Sequence, residues 1–182
     1  MGKNGSGKST LLRIISRIMK ADSGTVTFNG NNLLSANSKH RKNMFYIGHE
    51  PSMYSFFSPF ENLKFLLKTR DLISNVRYVN EKLDYYGLIE FIDKPISVFS
   101  KGMLQKLKLA QADLINPDLL LFDEPYTGLD DDGVLLVDKL IEKIKKQNKS
   151  LIMVLHNKHK AKKYSDSILS LDSGKAIKKN AF

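Results

Sequence analysis

Residues 2–10 read GKNGSGKST, and Gly2, Gly7, Lys8 and Ser9 complete the spacing G-x-x-x-x-G-K-[ST]. Lys3, Asn4, Gly5 and Ser6 fill the variable positions, and Thr10 follows. The chemistry implied is phosphate binding. Glycines let successive backbone N–H groups turn inward around the phosphates of a nucleotide. Lys8 is then placed to reach the β- and γ-phosphates, and the Ser9 hydroxyl to ligate Mg²⁺. The apolar helical repeat that follows, TLLRIISRIM, points a positive helix end at the same anion. A flexible Gly/Ser-rich start is the competing reading, and this immediate helical periodicity argues against it.

A second group of candidates lies at LLLFDEP, residues 119–125. Four apolar residues predict a buried strand, with Asp123 and Glu124 at its carboxyl end, where α/β sheets collect ligands. Asp123 would hold Mg²⁺ directly or through water, and Glu124 would polarise an attacking water as general base. An isolated Asp-Glu pair is more often a solvated strand end; the phosphate loop upstream turns the balance. Ser100-Lys101-Gly102 opens a helix, and its N–H groups and hydroxyl could meet an anion, although on local grounds alone an ordinary capped helix is the more common case. His156 closes SLIMVLH, where a lone histidine is usually structural.

Around these residues the hydrophobic periods predict an α/β chain. GTVTFNG and MFYIGH read as strands, while ENLKFLLKTR and VRYVNEKLDYYGLIEFI read as helices. A helix from about Lys101 to Ile115 should stop before Pro117, VLLVDKLIEKIKK is amphipathic, SLIMVLH is a buried strand, and ILSLDSGKAI is a hairpin. Strands alternating with helices imply a mostly parallel sheet with a small antiparallel part. The expected organisation is a single domain over residues 1–182 with a helical subdomain at about 53–115. A phosphate loop joins a buried strand to a helix, yet only Met1 precedes this one. The N-terminal strands are therefore expected to lie outside these residues. A start further upstream, a natural fragment and a strand from a partner all remain open.

The 182 residues contain 42% hydrophobic residues, no cysteine and a net charge of +10. That composition supports a core and excludes disulfides and thiolate metal sites. No stretch is apolar enough to span a bilayer. The excess lysine reads as a solvated, membrane-facing surface; no recognised motif for specific nucleic-acid binding accompanies it.

Taken in order, GKNGSGKST, a helical insert, FSKGMLQ, LLLFDEP, TGLD and the strand-ending His156 resemble the ATP-binding cassette (ABC) ATPases. The resemblance covers nearly the whole chain. It implies a P-loop NTPase fold, ATP and Mg²⁺ as ligands, and ATP hydrolysis. It likens Ser100 and Gly102 to the signature motif, which crosses a dimer to the γ-phosphate held by the other subunit. Gly128, Leu129 and Asp130 resemble the loop that couples the two sites, and His156 the switch histidine at the γ-phosphate. Two departures stand out. Met103 occupies the usual signature Gln position, and His49 stands where the family has a Gln that helps ligate Mg²⁺. A neutral His cannot copy an amide oxygen, though it can bind metal or water.

YIGHEPSMYSFFSPFENLKF further resembles the haem-exporter ATPases of cytochrome c maturation. Drug- and polysaccharide-exporter ATPases share the S-x-G-M-x-Q feature, so both classes stay open. The implied partners are a second copy or paired ATPase subunit, and transmembrane permease subunits at the cytoplasmic face of the inner membrane. Met53, Tyr54, Phe56, Phe57 and Phe60 could form the docking surface or simply pack the insert. A non-catalytic nucleotide-binding remnant is the alternative of another class.

Overall fold

The computed structural model describes residues 1–3, 5–35, 42–73, 75–172 and 174–180. They form two compact units, one built from residues 1–48, 119–125 and 151–182, the other from 49–118 and 126–150.

The first unit begins with the loop and α1 (Lys8–Ile15). A short antiparallel pair follows, β1 (Thr27–Phe28) with β2 (Asn31–Asn32). β3 (Met44–Ile47) and β4 (Leu119–Asp123) run parallel, in register from Met44 opposite Leu119 to Ile47 opposite Phe122. β5 (Ser150–Val154) completes the order β3-β4-β5. After α6 (Lys158–Tyr164), β6 (Ser167–Asp172) and β7 (Lys175–Asn180) form an antiparallel hairpin. All five β4 residues are buried, as expected of a strand whose apolar residues do not alternate with polar ones. Leu119 and Leu121 share one core with Leu12 of α1, Leu33, Met44 and Val154. The backbone of Met1 pairs with β6: its amino group donates to the Leu169 carbonyl at 2.5 Å, and its carbonyl accepts from Leu171 N–H at 2.8 Å. Among the described residues β5 is an end strand of its sheet.

The periodicity of TLLRIISRIM predicts a helix to Met19, but α1 stops at Ile15. Arg17 adopts a left-handed φ of 62°. The Ile18 N–H then reaches the Arg13 carbonyl at 2.9 Å and the Arg17 N–H the Ile14 carbonyl at 3.0 Å. This is a Schellman ending with Arg in the position Gly usually takes, so no sequence signal marks it. α6, within the lysine-rich stretch, is likewise absent from the sequence reading. Its start is capped by Asn157, whose side chain accepts from Lys160 N–H at 3.1 Å.

The second unit is helical. α2 (Pro59–Thr69) starts on a complete capping box. Ser58 Oγ accepts from Glu61 N–H at 3.2 Å, Glu61 returns a carboxylate to Ser58 N–H at 2.8 Å, and Pro59 occupies the first turn. α3 (Val76–Tyr85) is capped by Asn75. α4 (Lys101–Ile115) ends on left-handed Asn116 just before Pro117, as the sequence predicts. α5 (Asp131–Lys146) has acidic residues in its first turn and lysines in its last, matching the helix dipole. Three helices meet at buried Asp113 of α4, which is 4% exposed. It takes Lys82 of α3 at 2.5 Å on one carboxylate oxygen and Lys143 of α5 on the other. Burial pulls the Lys82 pKa down, but the Asp113 carboxylate outweighs it and leaves that pKa raised. Burial beside the same carboxylate pushes Tyr86 up.

Candidate functional site

The loop is a tight turn feeding a helix. Gly7 sits at the N-cap of α1 with φ 94°, a conformation costly for a residue with Cβ. Gly5 is exposed, and Gly2 lies against the Leu171 carbonyl. Asn4 lies outside the described residues. Lys8 is 8% exposed and folds back over the loop, donating to the Gly2 and Lys3 carbonyls at 2.9 and 2.8 Å. The loop thus encloses the ammonium and keeps it near the α1 N-terminus. Ser9 is half-buried in the first turn, Thr10 beside it is exposed, and the Ser6 hydroxyl is buried without a hydrogen-bond partner.

α1 packs on β4, the strand that delivers the carboxylates. Asp123 is 4% exposed, and its Oδ1 is buried with no hydrogen-bond partner. A buried carboxylate oxygen left unpaired is costly. It fits a hard divalent cation, which takes oxygen ligands such as carboxylates, hydroxyls and water. Asp123 and Ser9, both in this unit, offer that donor set. The chain turns sharply at the next residue. Glu124 has φ 52°, a left-handed conformation for a non-glycine residue, held in part by its N–H donating to the Val154 carbonyl at 3.2 Å. Strain of this kind concentrates at functional positions. The turn brings the Glu124 carboxylate to His156 at the end of β5, Oε1 to Nε2 2.9 Å. Both side chains are partly exposed, 35% and 49%, so water reaches the pair.

The remaining candidates lie in the second unit. Ser100 caps α4, accepting from Met103 N–H at 3.2 Å. Gly102 approaches the loop ahead of α5 so closely that a Cβ there would stand 3.1 Å from the Gly128 carbonyl oxygen. Asp130 caps α5 through Gly133 N–H at 2.8 Å, and Lys106 of α4 reaches the same carboxylate at 3.2 Å. The Gly133 bond, then Lys106, hold its carboxyl below the usual range. The starts of α4 and α5 are therefore tied together. His49 is exposed, and its carbonyl takes a 2.7 Å bond from Lys108, whose pKa burial lowers. Tyr54, Phe57 and Phe65 stack edge to face or tilted, with centroids 4.9 to 6.3 Å apart. Phe56 beside them is 88% exposed. Phe65 joins this cluster from within α2, while Tyr54 and Phe57 precede that helix, so no helical spacing in the sequence links them to it.

The ABC transporter family model matches residues 1–127, more than half of the chain. The chain belongs to the ABC transporter family. Among curated relatives, the ABC transporter ATP-binding protein NatA of Bacillus subtilis is 28% identical over 188 residues, covering all of this chain and 75% of NatA. The cytochrome c biogenesis ATP-binding export protein CcmA of Yersinia pseudotuberculosis is 34% identical over 133 residues, which are 73% of this chain and 61% of CcmA. CcmA of Escherichia coli K12 is 30% identical over 155 residues, 85% of this chain and 73% of that protein. A solved ATP-binding subunit of an ABC transporter superposes with TM-score 0.87 at 27% identity, covering 99% of this chain and 76% of that one. A dimeric ATP-binding cassette in a post-hydrolysis state with ADP and Pi gives 0.86 at 23% identity and shares the fold. This ABC chain is thus an α/β P-loop NTPase fold with a parallel sheet and small antiparallel parts. No helix among the described residues is long and apolar enough to cross a membrane.

Proposed function

We propose that the chain is the ATP-binding and hydrolysing subunit of a membrane exporter. The observation that carries this reading is the Glu124–His156 pair, 2.9 Å apart at the end of the strand that also presents the unpaired Asp123 oxygen. Residues 2–10 bind the triphosphate by backbone N–H groups, with Lys8 leaving its loop carbonyls for the β- and γ-phosphates. Asp123 and Ser9 would hold Mg²⁺, with His49 a further candidate; when bound, the cation neutralises charge on the β- and γ-oxygens. Glu124 takes a proton from water as the water oxygen bonds to the γ-phosphorus. The bond from the γ-phosphorus to the β–γ bridging oxygen breaks, giving ADP and phosphate. His156 orients Glu124 and contacts the γ-phosphate.

The working unit is a head-to-tail pair, with Ser100, Gly102 and Asp130 of one copy closing the loop site of the other. Tyr54, Phe56 and Phe57, with Met53 and Phe60, meet a permease at the cytoplasmic membrane face. The relation to CcmA supports an exporter of cytochrome c biogenesis with haem as cargo; a drug- or polysaccharide-type exporter is the alternative. Lys8→Ala tests the site. The parent should bind MgATP and release phosphate, and the variant should lose at least tenfold in affinity. Equal affinities would refute the loop's role.

A further inference from the structure

One buried polar group of the first unit has no part in the chemistry above. Tyr46 lies on β3 opposite Leu121 of β4. Side chains two apart on a strand share a face, so Tyr46 stands on the face that carries Leu121 and Asp123. It also packs against the core beneath α1. Its ring does not rise straight from the strand. A Cβ built on Gly48, two residues on, would fall 2.8 Å from Tyr46 Cε1 and 2.9 Å from its hydroxyl. The ring therefore runs along β3 over Gly48, toward the level of Asp123. There the hydroxyl is buried, and neither it nor Asp123 Oδ1 makes a hydrogen bond of full geometry, although Arg13 and Asp123 lie close enough to interact with the phenol. Burial raises the phenol's pKa; the Arg13 guanidinium lowers it and the Asp123 carboxylate raises it, so both charged groups face the hydroxyl.

Two buried oxygens in one neighbourhood, neither with a hydrogen bond of full geometry, leave room for a shared ligand. An acceptor-only carboxylate and a phenol that both donates and accepts suit water better than an anion. Mg²⁺ keeps several waters when bound by only one or two protein oxygens. We propose that Tyr46 is a positioning residue of the cation site, its hydroxyl holding a water of the hydrated metal beside Asp123, with Gly48 as the gap that admits its ring. This rests on the nucleotide reading above and adds to it a residue from outside both phosphate-site motifs.

Tyr46→Phe removes the hydroxyl and keeps the ring. ATP binding to the full chain is titrated calorimetrically across a Mg²⁺ series and again in EDTA, with a thermal melt of each protein. The hydroxyl's loss should raise the half-saturating Mg²⁺ about tenfold, the scale of one hydrogen bond to a charged centre. ATP affinity in EDTA and the melt should stay at parent values. Gly48→Ala, which displaces the ring, should move the Mg²⁺ dependence in the same direction. A Phe variant with parent Mg²⁺ dependence overturns the inference. So does one that loses ATP affinity equally with and without Mg²⁺, which is a structural role alone. A parent chain that binds ATP in neither condition refutes the nucleotide reading itself, a result distinct from both.

Discussion

Replacing Glu124 by Gln separates catalysis from stability because of where the side chain sits. The change keeps the length, the left-handed backbone position and an oxygen able to accept from His156 at 2.9 Å. It removes only the basicity. The Glu124–His156 contact joins side chains 35% and 49% exposed, so solvent screening limits its worth to below ~1 kcal/mol. That amount would move the melting temperature by no more than ~4 °C in a chain of this size. The rate effect is much larger: general-base assistance contributes ~10²–10⁴-fold, or about 2.7–5.4 kcal/mol of barrier. Phosphate release at saturating MgATP should therefore fall by at least a hundredfold while ATP affinity and melting stay near parent values. The assay is phosphate release beside calorimetric ATP binding and a thermal melt. Turnover within threefold of the parent would remove Glu124 from the base role. A large melting shift would instead show that the pair's main function is structural.

Mixing Lys8→Ala chains with Ser100→Arg chains should restore one intact composite site per pair, so ATP-dependent dimers should appear by size-exclusion chromatography in the mixture and in neither variant alone. Asp113→Asn should destabilise the helical unit by about 3 kcal/mol, the low end for breaking a buried pair, because Lys82 is only 17% exposed while Lys143 at 37% can rehydrate; the expected melting drop is ~6–12 °C, largely recovered in Asp113→Leu with Lys82→Met. The raised Lys82 pKa adds a pH signature: its contribution is full below the ordinary value of 10.5 and is lost as pH rises through the higher folded value, and Asp113→Asn should abolish that alkaline loss in pH-dependent melts. For Asp130 the sign is opposite, since its folded pKa is lowered: the cap's contribution is present above the ordinary carboxylate value and is lost as pH falls through the folded one, and Asp130→Asn should flatten the acid limb of the same melts.

What the sequence determined by itself is local. The phosphate-loop spacing, the apolar run ending in Asp123 and Glu124, the bounds of α4 between Ser100 and Pro117, and the order of motifs that marks the family all depend on neighbours along the chain. A cap, a proline or a glycine turn acts within a few residues, so its signal is written there. Tertiary structure decided what depends on which strands and helices become neighbours. The early end of α1 rests on Arg17 in a conformation that its residue type disfavours. The pairing of Glu124 with His156 spans 32 residues and follows from a backbone turn anchored on Val154. The Asp113 clamp joins three helices whose charges look like ordinary solvated lysines and an aspartate in the sequence. Tyr46 reads as one more apolar strand residue until the pairing of β3 with β4 sets it on the Asp123 face and Gly48 leaves room for its ring. These features are set by long-range packing, which satisfies or strands individual buried polar atoms at positions that no spacing rule marks.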